Sequence, residues 1–331
     1  MKYKVHIRIC FLLLLPLVAM ANEWNSESQR ACTIGRVATF EGEVNDDGDY
    51  QPTSNVNQYK GYTLVWQDEF DKDGRPDERW NYECGFVRNN ELQWYQPDNA
   101  RVRDGVLVIE GRREVVENPH YEEGSNDWQR ARREAEYTSS SLTTRRSFHF
   151  KYGRVEVRAK IPTASGAWPA IWLLGNRWGW PSCGEIDMME YYVAKGVPSI
   201  LANACWADER RFTPVWDSAV TPLTHFTGKD AEWTAKFHVW RMDWDEDFIC
   251  LYLDGELLNT IDLSQTTNRG GDGKGMNPFS NDVKGFGMYI LLNLAIGENG
   301  GVPDDSRFPL QYLIDYVRVY TRNQVSSQSN R

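Results

Sequence analysis

The sequence predicts an all-β sandwich or barrel, and three observations carry that prediction. Short runs rich in β-branched and aromatic residues recur along the chain, bounded by Gly, Asp or Pro. At least one of them alternates cleanly at period two. Helical periodicity is scarce, with no heptads and no internal repeat, so the runs must bury their faces against one another.

In chain order, the opening "MKYKVHIRICFLLLLPLVAMANE" sets basic residues before an apolar run that ends at Ala19-Met20-Ala21. That is the order of a secretory leader, and residues 1–21 are expected to be removed after Ala21. The apolar run is short for a membrane anchor, and no later stretch is apolar for long enough to span a bilayer. The mature chain is therefore expected to be secreted, extracellular or periplasmic. Residues 22–60 are polar and rich in Gly and Asp ("EVNDDGDYQPTSNVNQ") and read as an N-terminal extension.

From 61 to 322 the strand signals follow one another: "GYTLVWQ", "GVLVIEGRR", "GRVEVRAKI", "FICLYLDGELLNTI", "MYILLNLAI" and "YLIDYVRVY". In "GRVEVRAKI", Val155 and Val157 share one face and Glu156 and Arg158 the other, the pattern of a half-buried strand. "YLDGEL" predicts a hairpin with Asp254-Gly255 at a type I′ turn. "NDWQRARREAEY" has helix formers but poor apolar periodicity, so a loop or short helix is expected there. The stretch 207–236 reads as a long mixed connection carrying Trp216, His225, Phe226 and Trp233, and a lid or cleft wall is expected of it. Residues 323–331 form a polar tail.

A net charge of −10 argues against nucleic acid or an anionic membrane as partner. The load of 14 Trp and 16 Tyr points elsewhere, because flat aromatic faces pack on the apolar C–H faces of sugar rings. Without Cys10, the cysteines left are Cys32, Cys84, Cys183, Cys205 and Cys250, an odd number at wide spacing. Cys183 and Cys205 pair if their strands are neighbours and are otherwise buried free thiols. No paired spacing suggests zinc.

The segment "GEIDMMEYY" places Glu185, Asp187 and Glu190 within six residues of an otherwise apolar, aromatic run. In a strand Glu185 and Asp187 point the same way, while Glu190, five residues from Glu185, points oppositely. A β-bulge at Met188 or Met189 restores Glu190 to the common face. Two carboxyl groups across a scissile bond are what glycoside hydrolysis needs, with about 5–5.5 Å giving retention and wider spacing inversion. Three acids in close array cannot all ionise freely, so at least one pKa should rise towards that of a general acid. A solvated acidic face does not account for the flanking Trp180, Tyr191 and Tyr192, and a calcium cluster would sit in a loop.

Here the residues resemble a known family. "GWPSCGEIDMMEYY" is similar to the active-site strand of glycoside hydrolase family 16 in its E-x-D-x-x-E form. "LVWQDEFD", "NNELQWY", "YGRVEVRAKIP", "GAWPAIWLLG", "FHVWRMDW", "LLNLAIG" and "IDYVRVY" follow in the family's order from about residue 60 onward. The resemblance implies a β-jelly-roll sandwich of two curved antiparallel sheets with a substrate cleft on the concave face. It implies a retaining endo-hydrolase of the laminarinase-like branch, acting on β-1,3- or mixed β-1,3/1,4-glucan. Glu185 is the implied nucleophile, Glu190 the acid/base, and Asp187 assists the nucleophile. Asn90, Trp168, Trp172, Trp180 and Trp206 are the implied sugar contacts. No cofactor is expected for catalysis, but Glu69, Gly105 and Asp315 match the ligand positions of a structural calcium on the convex face. The expected partner is a polysaccharide, met by a monomer.

One departure stands out. On the next strand the branch shows a His beside an aromatic residue, whereas this chain reads "LANACWADER", with Cys205 before Trp206 and no His. That leaves a β-galactosidic substrate open, in a galactan or in galactose/N-acetylglucosamine chains of the mucin type. Two further alternatives are a binding-only relative and a transglycosylase. Retention of both Glu residues disfavours the first.

Overall fold

A computed structural model describes residues 59–210 and 212–323, together with two short paired strands, β1 (Glu43–Val44) and β2 (Tyr50–Gln51). The leader at 1–21, most of the extension and the tail from 324 onward lie outside the described residues. Ala38–Arg331 clusters as one unit, while Met1–Val37 falls wholly outside the described residues. No helix among the described residues is long and apolar enough to cross a membrane.

The first strands are β3 (Tyr62–Asp68), β4 (Asn81–Glu83), β5 (Gln93–Tyr95), β6 (Ala100–Arg103), β7 (Val106–Glu117), β8 (Glu134–Ser139) and β9 (Ser141–Thr143). Then come β10 (Gly153–Lys160), β11 (Ala167–Gly175), β12 (Glu185–Ala194), β13 (Val197–Ala207), β14 (Pro214–Pro222) and β15 (His238–Trp244). The last are β16 (Phe248–Leu253), β17 (Glu256–Asp262), β18 (Met288–Ile296) and β19 (Leu310–Arg322). One sheet runs β17-β16-β15-β10-β19-β7-β8-β5, with β3 added on β19 and β6 on β7. The other runs β14-β13-β12-β11-β18-β9-β4. The pairs are antiparallel except β5 with β8. This is the two-sheet β-jelly roll that the sequence predicts.

Between the sheets lies one apolar core. Val155, Val157, Trp240, Ile314 and Val317 enter it from the first sheet, and Ile171, Leu173, Ile186, Ile290 and Leu292 from the second. Along β10, β11 and β18 these residues sit two apart, so the period-two pattern that forms the strands also fills the core, while a register shift against β10 sets Ile314 and Val317 of β19 three apart. The Asp254-Gly255 hairpin joins β16 to β17, with φ of 48° and 81° as a type I′ turn requires. "NDWQRA" yields a single helical turn, Trp128–Ala131, capped by the Asp127 carboxylate, which accepts from the Gln129 N–H.

Two expectations change. Strand β10 is buried on both faces, not one: Glu156 is 1% exposed and Arg154 4%. The outer face is covered because its charges are paired. Arg154 bonds Asp243 twice and lies over the Tyr59 and Tyr62 rings, and the Tyr59 hydroxyl donates to Glu156 at 2.7 Å. The stretch 207–236 is not a long lid. A hairpin adds β14 to the second sheet, and a short helix, Leu223–Thr227, follows. Phe226 and Trp233 stack on each other inside the core, and His225 faces Glu256. Trp216 stands exposed at 43% and Phe212 at 62%.

Candidate active site

Strand β12 carries the three carboxylates, and its register explains how they meet. Against β13, Asp187 pairs with Asn203 and Glu190 with Leu201, so Met188 and Met189 together face one residue. This is the β-bulge expected at that place. Both methionines turn into the core, at 1% and 0% exposure, and the next residue, Glu190, emerges on the outer face beside Glu185 and Asp187. Just before the strand, Gly184 has φ +77°, and a Cβ there would lie 2.8 Å from Pro278 and 2.9 Å from Phe279. Glycine at that position lets the chain enter β12 tightly against the 278–279 segment.

Each glutamate receives an indole. Trp180 Nε1 donates to Glu185 Oε2 at 2.6 Å, and Trp168 Nε1 donates to Glu190 Oε1 at 2.9 Å. Asn203 Nδ2 reaches both Asp187 Oδ2 (3.3 Å) and Glu190 Oε2 (3.1 Å), tying the bulge together. Asp187 lies within hydrogen-bonding reach of Glu185. Beneath them Arg88 pairs with Glu83 and lies 4.9 Å over the Trp172 ring. Trp172 Nε1 donates to Asn293 Oδ1 at 2.7 Å, and Asn293 Nδ2 donates to the Tyr95 hydroxyl at 3.0 Å.

Burial dominates the electrostatics. It pushes the Glu190 carboxyl up to about 7, against the indole bond from Trp168, with the charge of Glu185 adding to the rise. Asp187 is raised well above the usual carboxylate range by burial and then by Glu190 and Glu185. Burial also raises Glu185 and prevails, although the Trp180 N–H, the Arg88 guanidinium and the Asp187 hydrogen bond oppose it. The three acids thus differ in their support: Asp187 is placed to donate to Glu185, Glu185 receives an indole N–H and faces a guanidinium, and Glu190 is lifted to about 7.

The expected contacts distribute unevenly. Trp168 joins the site through Glu190, and Trp180 is 40% exposed beside Glu185. Trp172 lies on the same face but is 7% exposed and packed with Ala170, Tyr289 and Leu291, which makes it the floor. Asn90 sits in an exposed turn, where its Nδ2 donates to Glu298 and its Oδ1 accepts from Arg132. Trp206 is corrected outright. It is 6% exposed and belongs to the core between the sheets, because strand alternation gives the cleft face to its neighbour Cys205, which is paired in register with Glu185. Arg88, Asn203, Asn293 and Tyr95 also carry the site; Tyr95 and Asn293 lie in the family-like runs "NNELQWY" and "LLNLAIG", while Arg88 has no local motif to mark it.

Cys183 and Cys205 are both buried and free, while Cys250 is disulfide-bonded. The calcium expectation meets a different arrangement. Glu69 accepts from Arg318 through both its oxygens, at 2.8 and 2.7 Å, and Asp315 Oδ2 accepts from Arg158 at 2.8 Å. Both carboxylates are thus paired with guanidinium groups in this arrangement. Gly105, with φ +75°, closes the turn between β6 and β7. No group of three or more His, Cys, Asp or Glu side chains that could hold a metal ion occurs among the described residues.

Comparison with known proteins gives concordant matches. The family profile described as "Glycosyl hydrolases family 16" matches residues 94–278. The chain is 34% identical to a "Beta-glucanase" of Rhodothermus marinus, over 78% of this chain and 85% of that protein. It is 32% identical to "Glucan endo-1,3-beta-glucosidase A1" of Niallia circulans, over 78% of this chain but only 38% of that longer protein. Among solved structures, one reported under "Prominent members of the human gut microbiota express endo-acting O-glycanases to initiate mucin breakdown" matches with a TM-score of 0.69 and 36% identity. That match covers 80% of this chain and 92% of the other.

Proposed function

The chain belongs to glycosyl hydrolases family 16, and from that premise we propose that it is a secreted, retaining endo-hydrolase that cleaves internal bonds of β-1,3- or mixed β-1,3/1,4-glucan. One observation carries the mechanism: on one bulged strand, Glu185 and Glu190 share a face, each accepting from an indole N–H, and burial lifts Glu190 to about 7. In the first step Glu190 gives its proton to the glycosidic oxygen while a Glu185 oxygen attacks the anomeric carbon. The aglycone leaves as an alcohol, and a glycosyl ester of Glu185 remains. In the second step Glu190 takes a proton from water, which attacks the same carbon and frees Glu185. Asp187 donates to Glu185 and steadies the departing carboxylate. Side chains and water account for every proton and electron pair. The leader pattern at 1–21 supports export.

The glucan reading is supported by the names of the Rhodothermus and Niallia relatives. A second reading, an endo-β-galactosidic cut in mucin-type chains, is favoured by Cys205 on the cleft face and by the O-glycanase neighbour.

Incubation with laminarin, mixed-linkage glucan, an agarose-type galactan and a mucin-type glycan tests both. Oligosaccharides from a glucan are expected, and Glu185→Gln should lose turnover while still binding the polymer. Products from the galactose-containing polymers alone would replace the glucan reading. Turnover retained by Glu185→Gln would overturn the nucleophile assignment.

A further inference from the structure

Strand β14 extends the catalytic face by one strand beyond anything the carboxylates touch. In an antiparallel sheet, residues directly opposite share a face. Glu185 pairs with Cys205, and Cys205 with Trp216; Asp187 pairs with Asn203, and Asn203 with Ser218; Glu190 pairs with Leu201, and Leu201 with Val220. Each carboxylate thus heads a cross-strand row that ends on β14. The middle members are covered, with Cys205 at 0%, Asn203 at 3% and Leu201 at 3% exposure. The outer members resurface, with Trp216 at 43% and Val220 at 50%. Along β14 the alternation is regular, and Asp217, between Trp216 and Ser218, turns inward to accept from Asn259.

From these rows we propose that Trp216 is the platform of a distal sugar subsite, two strands from the nucleophile, with Ser218 offering a hydroxyl beside it. The inference rests on the glycanase reading above. Neighbouring strands lie about 4.8 Å apart, so the Trp216 backbone is roughly 10 Å from that of Glu185 across the sheet. That is too far to touch the reacting ring and suits a ring further along the same chain. Trp180, exposed and bonded to Glu185, also interacts with Cys205, the residue between Glu185 and Trp216 in that row. Two exposed indoles therefore follow one another from the nucleophile towards the sheet edge. Trp216 stands 43% exposed on the edge strand of this sheet. A flat pyranose C–H face, continuous with the chain already held over Glu185, is the occupant that matches its shape and place.

The test compares the wild type with Trp216→Ala and Trp216→Tyr on laminari-oligosaccharides of rising length, reading kcat/KM and, in the Glu185→Gln background, affinity by calorimetry. Trp216→Ala is expected to cut the advantage of long over short oligosaccharides about three- to ten-fold, mainly through KM, with Trp216→Tyr restoring most of it. An equal loss at every length, or no loss, overturns the subsite. So does a change of oligomeric state without a length effect, which would make β14 a contact edge between copies. If the wild type neither binds nor cleaves these sugars, the glucan reading falls instead. The same length comparison on whichever of the four polymers is cleaved then decides the subsite separately.

Discussion

Glu190 accepts hydrogen bonds from an indole and from an amide, both of which favour its anion, yet burial still lifts its carboxyl to about 7. The consequence for pH runs one way. Glu190 must hold a proton to act as the acid, so kcat/KM should fall about tenfold per unit as pH rises beyond about 7. Glu190→Gln removes that titration. It should flatten the basic limb and lower the rate on polysaccharide by roughly 10²- to 10⁴-fold. A pH–rate profile whose basic limb survives unmoved in the variant would assign the proton to another group. At this scale the sequence was informative wherever counting sufficed. Glu185, Asp187 and Glu190 are separated by two and three positions, and one inserted residue decides their common face. Arg88 and Asn203 were not legible, because they arrive from the turn before β5 and from β13 and depend on pairing that no local spacing encodes.

At the scale of elements, parity along β13 explains the one misplaced tryptophan. Cys205 and Trp206 are adjacent, so only one of them faces the cleft, and registry with Glu185 assigns that face to Cys205. Trp206 then belongs to the core, where it sits at 6% exposure. Trp206→Ala should therefore cost about 3–5 kcal/mol of folding stability, measurable by urea unfolding. A rise in KM with stability intact would return Trp206 to the cleft. The hairpin that carries β14 was hidden for a related reason. In "PVWDSAVTP" the exposed positions Trp216 and Val220 are apolar and the inward Asp217 is charged, so polarity inverts the usual alternation. Strand β10 misled in the opposite sense, because its charged face is buried by ion pairs and aromatic rings drawn from distant segments.

Across the whole molecule the two sheets divide the work. The first covers its outer face with arginines, each matched to a carboxylate or laid on a ring, as Arg154, Arg158, Arg241 and Arg318 are. Such pairs tie neighbouring strands together with charge. The second sheet keeps its outer face for carboxylates and indoles, and the shared core holds the bulge that aligns them. A two-sheet β fold was legible from strand runs alone. The division of faces was not, since it depends on which strands become neighbours. The central claim is that Glu185 forms a covalent glycosyl intermediate, and the first-formed anomer tests it most directly. Proton NMR of the earliest products from whichever polymer is cleaved should show the β-anomer, with the α-anomer growing in only by mutarotation. An α-anomer appearing first would mean inversion by direct attack of water and would contradict the account.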